Sequence, residues 1–493
     1  MKRNLFIIAA VLFAGVLSVS CSKENLGVET ADQEKQGPQG QVENVQRLVS
    51  GNFKGSVQAD EGLAAAIEKA KELLGDASLA QTISDLASDL KSSAFCCSNW
   101  KIKTYRIVYR TVDGNGDEIL LSGDIGFIGD DSGKVQRELS TVTLFHTMLN
   151  LDDNDENLLN STMVYRDPLI ACRSFYNALV VYPHYQGAGV DKGKHPFSMS
   201  APLLKARQAI DCELAALEFL KTLDNVEMAE DYYTENIGVS NGAISSLATQ
   251  YLLENDPEMR EKADIIRLNG TYVGEAAYHY TNLFTSIVSK IEEEETSLLG
   301  GLFDFSLVEK AKPYMVMAAT LSSFDAYPDI FKDKGVGSAE ELFSPKFLNL
   351  KVDYKGTEMS FLDYYRSGNM DMTFNTTLGD NGITPRIVLH PEMFTVSGDL
   401  NWENGKLQAI RTALDENEVV CDGWDPASPL LIRHSMSDDF LSYDEAYEVY
   451  SNLSVDGANK NVEIKPVYVL DHITSALYEF VTDVLFTKHP ANQ

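Results

Sequence analysis

Residues 235–255, ENIGVSNGAISSLATQYLLEN, join two patterns. The first six residues, with Ile237 and Val239 alternating, read as a buried strand, and those from Asn241 onward have the apolar spacing of a helix. Between them stand Gly238, Ser240 and Gly242, a G-x-S-x-G arrangement. A strand that turns sharply into a helix needs glycine where backbones approach, and it leaves the central residue strained and presented to solvent. That context makes Ser240 a candidate nucleophile. A serine hydroxyl is a weak nucleophile at neutral pH, so a histidine must take its proton and an acid must orient that histidine.

Working outward, STVTLFHTML and NALVVYPHY are aliphatic runs with no polar face, as in buried parallel strands, and SAPLLKARQAIDCELAALEFLKTL has helical periodicity. Such alternation predicts an α/β fold, a mostly parallel sheet covered by helices on both faces. Upstream, TYRIVYRTV and EILLSGDIGFIG read as two strands joined by DGNGD, residues 113–117. Asp113, Asn115 and Asp117 imitate the start of a calcium loop, but Glu118 stands where that loop needs glycine, so a hairpin turn is expected. Residues 60–92 read as two helices broken around Gly75.

Of the eight histidines, His472 and His489 lie in the last twentieth of the chain. His472 follows the strand-like EIKPVYVL and precedes the helix-like TSALYEFVTDVLF, a loop position from which catalytic groups are commonly presented. His489 falls in the terminal tail, where disorder is expected. Between Ser240 and His472, PLLIRH reads as a strand, SMSDD as a loop and YDEAYEVYSNL as a helix. The loop offers Asp438 as the orienting acid and Asp439 as its rival. His434, at the strand's last position, is read as structural.

These segments resemble the α/β-hydrolases, most of all secreted lipases and esterases with an inserted lid, over about residues 100–488. HSMSDDFLS is similar to an H-G-x-x-D-x-x-V-P segment, with His434 and Asp438 matching and Ser435 and Ser442 departing from its glycine and proline. TLFHTM resembles the HGT strand end that supplies an oxyanion-hole amide, with Thr147 in place of glycine. VVYPHYQGAG....HPF resembles a DYxGxG....HPY stretch, with His184 in place of aspartate. The resemblance implies a Ser240, Asp438, His472 triad. It also implies an oxyanion hole formed by the amide of Asn241 and one from Thr147 or Met148.

Ser240 and Asp438 are 198 residues apart, whereas two further strand–helix units would take roughly 50 to 70 residues. The excess, about residues 274–425, contains helical apolar stretches and is expected to form a helical cap that excludes water and shapes a pocket. Tyr272, Tyr278, Tyr280 and Phe284 suit either a pocket lining or core packing. The expected organisation is a signal peptide (1–20), a flexible tether (21–57), the first part of the core (58–273), the cap (274–425) and the second part of the core (426–493).

At the N-terminus, Lys2 and Arg3 precede an apolar run from Leu5 to Val19 and then LSVSCSKEN. This resembles a bacterial lipoprotein signal with lipid attachment at Cys21, and the following SKE resembles the surface-export address of Bacteroidetes lipoproteins. Outer-membrane anchoring, with exposure at the cell surface, is the implied location. The chain carries 41 Lys and Arg against 73 Asp and Glu, a net charge of −32, which repels nucleic acid. Excluding Cys21, five cysteines remain, so at least one thiol stays unpaired. Neither C-x-x-C nor H-E-x-x-H occurs, and no metal or organic cofactor is expected. The residues together predict a serine hydrolase acting on carboxylic esters, small-molecule or lipid. A peptidase of the same fold and a hydrolase-like binding lipoprotein without activity are the alternatives. Oligomeric state is not legible.

Overall fold

The computed structural model describes residues 46–490 apart from 75–83, 86, 89, 91–98, 133, 136–137, 147–165, 290–305, 369–376, 420, 422, 439 and 468–470. Cys21, Cys96, Cys97, Thr147, Met148 and Asp439 therefore lie outside the described residues.

Nine strands form the central sheet: β1 (Leu48–Gln58), β2 (Lys101–Val112), β3 (Glu118–Gly129), β4 (Leu139–His146), β5 (Ala178–Pro183), β6 (Met228–Val239), β7 (Leu268–Gly274), β10 (Leu430–Ser435) and β11 (Val462–Val467). Their order is β1-β2-β3-β5-β4-β6-β7-β10-β11. β1, β2 and β3 pair antiparallel and β3 meets β5 antiparallel, while every junction from β5 to β11 is parallel. The hairpin of β2 and β3 turns through residues 113–117, where the Asp113 carboxylate accepts the amides of Asn115 and Asp117 at 2.9 Å each. It is a turn closed by an aspartate, not a cation loop.

Helices cover both faces. α1 (Ala59–Leu74), α2 (Arg166–Ser174) and α9 (His472–Glu479) pack on one, with Phe145, Val180, Ile237 and Leu431 beneath them. α3 (Pro202–Leu220), α4 (Ala243–Asn255) and α8 (Tyr443–Ser454) pack on the other. Between β7 and β10 the chain runs through helices that include α5 (Tyr280–Ser289), α6 (Ser306–Ala326) and α7 (Gly405–Asp415), and through a separate antiparallel pair, β8 (Lys351–Tyr354) and β9 (Thr357–Ser360). Their buried side chains, among them Tyr314, Met317, Leu407 and Ile410, continue the same apolar core as α3 and α4.

Two sequence-based expectations are corrected. Residues 48–57 have the composition of a tether, yet they form most of β1, paired with β2. An edge strand needs few apolar side chains, and Gly51 serves because the Phe219 ring lies where its Cβ would be, 2.1 Å away. His489 is not loose: its Nδ1 lies 2.7 Å from the buried carboxylate of Glu235, which also pairs with Arg173. Arg173 in turn donates to the carbonyls of Val484, Thr487 and Lys488, fixing the chain's last described turn.

Candidate active site

β6 delivers the backbone to Ser240 in the left-handed region, with φ of 55°. For a residue other than glycine this costs about 1–3 kcal/mol, which the surrounding structure must over-determine. Gly238 makes the turn sterically possible, since a Cβ there would sit 2.2 Å from the Gly242 carbonyl oxygen and 2.8 Å from the Ala243 Cα. The strand end and the helix start thus touch backbone to backbone. Ser240 is half-buried, and its Oγ lies 3.1 Å from His472 Nε2.

His472 is the first residue of α9. Asp471 caps that helix by accepting the Thr474 amide at 3.0 Å and the Thr474 hydroxyl at 2.8 Å, which fixes where the imidazole starts. His472 Nδ1 donates to Asp438 Oδ2 at 2.7 Å, leaving the Nε2 lone pair toward Ser240. The Phe440 ring packs at 5.5 Å, edge to face, against the imidazole. Asp438 Oδ1 accepts the amides of Phe440 and Leu441 at 2.8 Å each. Burial works to raise the Asp438 carboxyl, but the hydrogen bond and charge of His472, a hydrogen bond from Glu275 and the Leu441 amide together hold it below the usual carboxylate range. Asp438 is therefore ionised, with its side chain wholly buried.

The structure thus brings Ser240, Asp438 and His472 into one hydrogen-bonded chain. His434 is buried beneath the acid loop, where its Nε2 donates to the Leu441 carbonyl at 3.3 Å, and burial lowers its basicity. The remaining histidines are engaged elsewhere. His146 bonds Tyr185 and Asn236, His184 bonds Ser122, and His195, His279 and His390 face Asp191, Glu418 and Glu392.

Around the elbow, the Asn241 side chain is clamped. Its Oδ1 accepts from Lys205 Nζ at 2.8 Å, and its Nδ2 donates to the Met199 carbonyl at 3.1 Å and to the Tyr280 hydroxyl at 3.3 Å. Lys205, on α3, is fully buried, and burial lowers its ammonium to about 7. In the sequence it reads only as one lysine of an amphipathic helix. β4 ends beside the elbow, with His146 paired to Gly238, and Thr147 and Met148 follow in sequence outside the described residues. Tyr278, Tyr280 and Phe284 are buried on the α3 and α4 side, whereas Tyr272 points to the opposite face and donates to Asp483 at 2.9 Å.

Sequence reasoning also missed Glu275. It directly follows β7 with φ of 53° and no solvent exposure. An acid placed immediately after an apolar strand end, as in TYVGE, was the available signal. Glu275, Asp438 and His472 bring one oxygen or nitrogen each within 4.8 Å of one another. The facing atoms of His472 and Asp438 already share a proton, so this is a hydrogen-bonded cluster. Cys172 and Cys212 are buried free thiols, and burial raises Cys172 to about 12.

No family model and no curated protein matches the sequence. Solved structures do match in shape. A candidate hydrolase from Legionella pneumophila superposes with a TM-score of 0.58 at 17% identity, over 91% of this chain and 99% of its own. LipA, a rice cell wall degrading esterase from Xanthomonas oryzae, superposes with a TM-score of 0.58 at 14% identity, over 89% of this chain and 95% of its own.

Proposed function

On a chain that shares the α/β-hydrolase fold with these structures, we propose a serine hydrolase that cleaves carboxylic esters, of the lipase and esterase kind. The observation that carries this reading is the continuous path from Ser240 Oγ through the His472 imidazole to the buried Asp438 carboxylate, at 3.1 and 2.7 Å. Ser240 Oγ attacks the ester carbonyl carbon while its proton passes to His472 Nε2. Asp438 stabilises the imidazolium so formed without taking the proton. The Asn241 amide, with one from Thr147 or Met148, receives the charge on the carbonyl oxygen. The proton on Nε2 then goes to the departing alkoxide, and an acyl group remains on Ser240. Water, deprotonated by the same imidazole, releases it. The helices between β7 and β10 act as a cap, with Tyr280 reaching Asn241 at the elbow. Cys21 carries the lipid that holds the protein at the outer membrane.

The test is labelling of the purified protein with a fluorophosphonate, followed by a panel of ester and peptide substrates. Labelling at Ser240 with turnover of esters supports the reading. Labelling with turnover of peptides alone replaces it with a peptidase, and absence of labelling leaves a binding protein on a hydrolase scaffold.

A further inference from the structure

Behind the acid loop lies a row of buried carboxyls that the mechanism above does not use. Glu275 Oε1 accepts the Ser435 amide at 2.8 Å and the Ser475 hydroxyl, so it ties the end of β10, which leads to Asp438, to the helix that begins at His472. Its other oxygen, Oε2, is buried and, among the described residues, receives no donor from a hydroxyl or N–H. An ionised carboxylate with an unsatisfied oxygen in a buried site is costly. A proton resolves this, because Oε2 then becomes a donor, and the facing acceptor is Asp438.

Most of the surroundings favour that proton, against the Ser475 hydroxyl, which favours the anion. From the acid loop and β10, Glu275 faces Asp438 and His434, the latter with Nε2 at 3.7 Å from Oε2. From α9 it faces His472 and Glu479, and from its own segment Tyr278. Glu479 is itself fully buried. Its Oε2 fills the space that a Gly274 side chain would take, 2.2 Å from the absent Cβ, and accepts from the Tyr272 hydroxyl at 3.2 Å. Arg433, whose charge works to lower the Glu479 carboxyl, is paired with Asp483 at 3.2 Å. Burial, the charge of Glu479 and the hydrogen bond to Asp438 push the Glu275 carboxyl far above the usual range, while Asp438 is held below it. Two acids in contact thus split into one neutral and one charged.

We propose that Glu275 is a positioning residue for the triad: as a carboxylic acid it donates a hydrogen bond to the Asp438 carboxylate and fixes the face that Asp438 presents to His472. This rests on the serine-hydrolase reading above. Oε1 braces the two segments against each other, and Oε2 shares the charge of Asp438, so that the acid orients the imidazole without over-stabilising its protonated form.

The test compares Glu275→Gln and Glu275→Leu in the full chain, by kcat and kcat/KM on a chromogenic short-chain ester across the range where imidazole titrates, and by the downfield NMR resonance of the His472 Nδ1 proton. Gln keeps both an acceptor and a neutral donor, so its turnover stays within about threefold of the wild type, its acid limb does not move and the resonance persists. Leu removes the donor, so kcat falls by about tenfold or more. The acid limb then moves to higher pH, as Asp438 concentrates its charge on His472. If Glu275 were ionised, Glu275→Gln would delete a negative charge beside His472 and lower the acid limb by about one unit or more, which overturns the proposal. Unchanged kinetics in a folded Glu275→Leu also overturns it. Should Glu275→Leu fail to fold, the Gln profile and resonance decide. A wild type without ester turnover sinks the functional reading, and the response of the resonance to Glu275→Gln still decides Glu275.

Discussion

Replacing Asp438 by Asn tests the orienting acid at a single atom. The asparagine retains an oxygen to accept the Phe440 and Leu441 amides, which Asp438 Oδ1 now receives at 2.8 Å each. The other position, where Oδ2 accepts from His472 Nδ1 at 2.7 Å, becomes an NH2 group. Donor then faces donor. The imidazole responds by moving its proton to Nε2, which no longer has a lone pair for the Ser240 hydroxyl. Two unit charges 2.7 Å apart in an effective dielectric of about 20 attract by about 6 kcal/mol. Loss of that attraction for the imidazolium, at about 1.4 kcal/mol per decade, corresponds to about four decades of kcat. Stability changes far less, because both backbone hydrogen bonds survive. The assay is kcat on a chromogenic ester at the plateau of the pH profile, with fluorophosphonate labelling rate and melting temperature in parallel. Turnover of Asp438→Asn within tenfold of the wild type would refute the assignment. So would a large kcat loss in Asp439→Asn alone.

Ser240→Ala is expected to abolish ester turnover and fluorophosphonate labelling while the melting temperature holds within a few degrees, since Gly238 provides the clearance at the elbow. Surviving turnover within tenfold contradicts this. Cys21→Ala should release the protein from membranes with kcat unchanged, and a variant that still sediments with membranes in detergent-free fractionation argues against the anchor. Glu213 is fully buried on α3, one of its oxygens has no partner among the described residues, and burial raises its carboxyl to about 8 from an ordinary 4.5. The raised value means that its contribution is fully present below 4.5 and is lost as pH rises through about 8, a cost on the order of 3 kcal/mol at neutrality. Glu213→Gln should therefore melt like the wild type in acid and above it from neutral pH upward. Parallel melting curves across that range would show that Glu213 is not buried as an acid.

Several parts of this molecule were written locally. The apolar runs of β4, β5 and β10, alternating with helical periodicity, specify buried parallel strands, and the glycines around Ser240 specify the turn between β6 and α4. His472 and Asp438 could be nominated from strand, loop and helix signals within a dozen residues of each. Only the tertiary structure joins them to Ser240, closing 232 residues of chain to a hydrogen-bond distance. It also decides what no window of sequence contains. β1 reads as tether because an edge strand with glycine at Phe219 has little apolar pattern of its own. His489 reads as tail because its partner Glu235 lies 254 residues earlier. Glu275 and Lys205 look like ordinary charged residues, since their chemistry comes from desolvation and from partners on other elements: Asp438, Ser435 and Ser475 for one, Asn241 and Met199 for the other. Periodicity and turn chemistry act over a few residues and can be read from the chain. Burial of a charge is a property of everything packed around it, and exists only once the chain has folded.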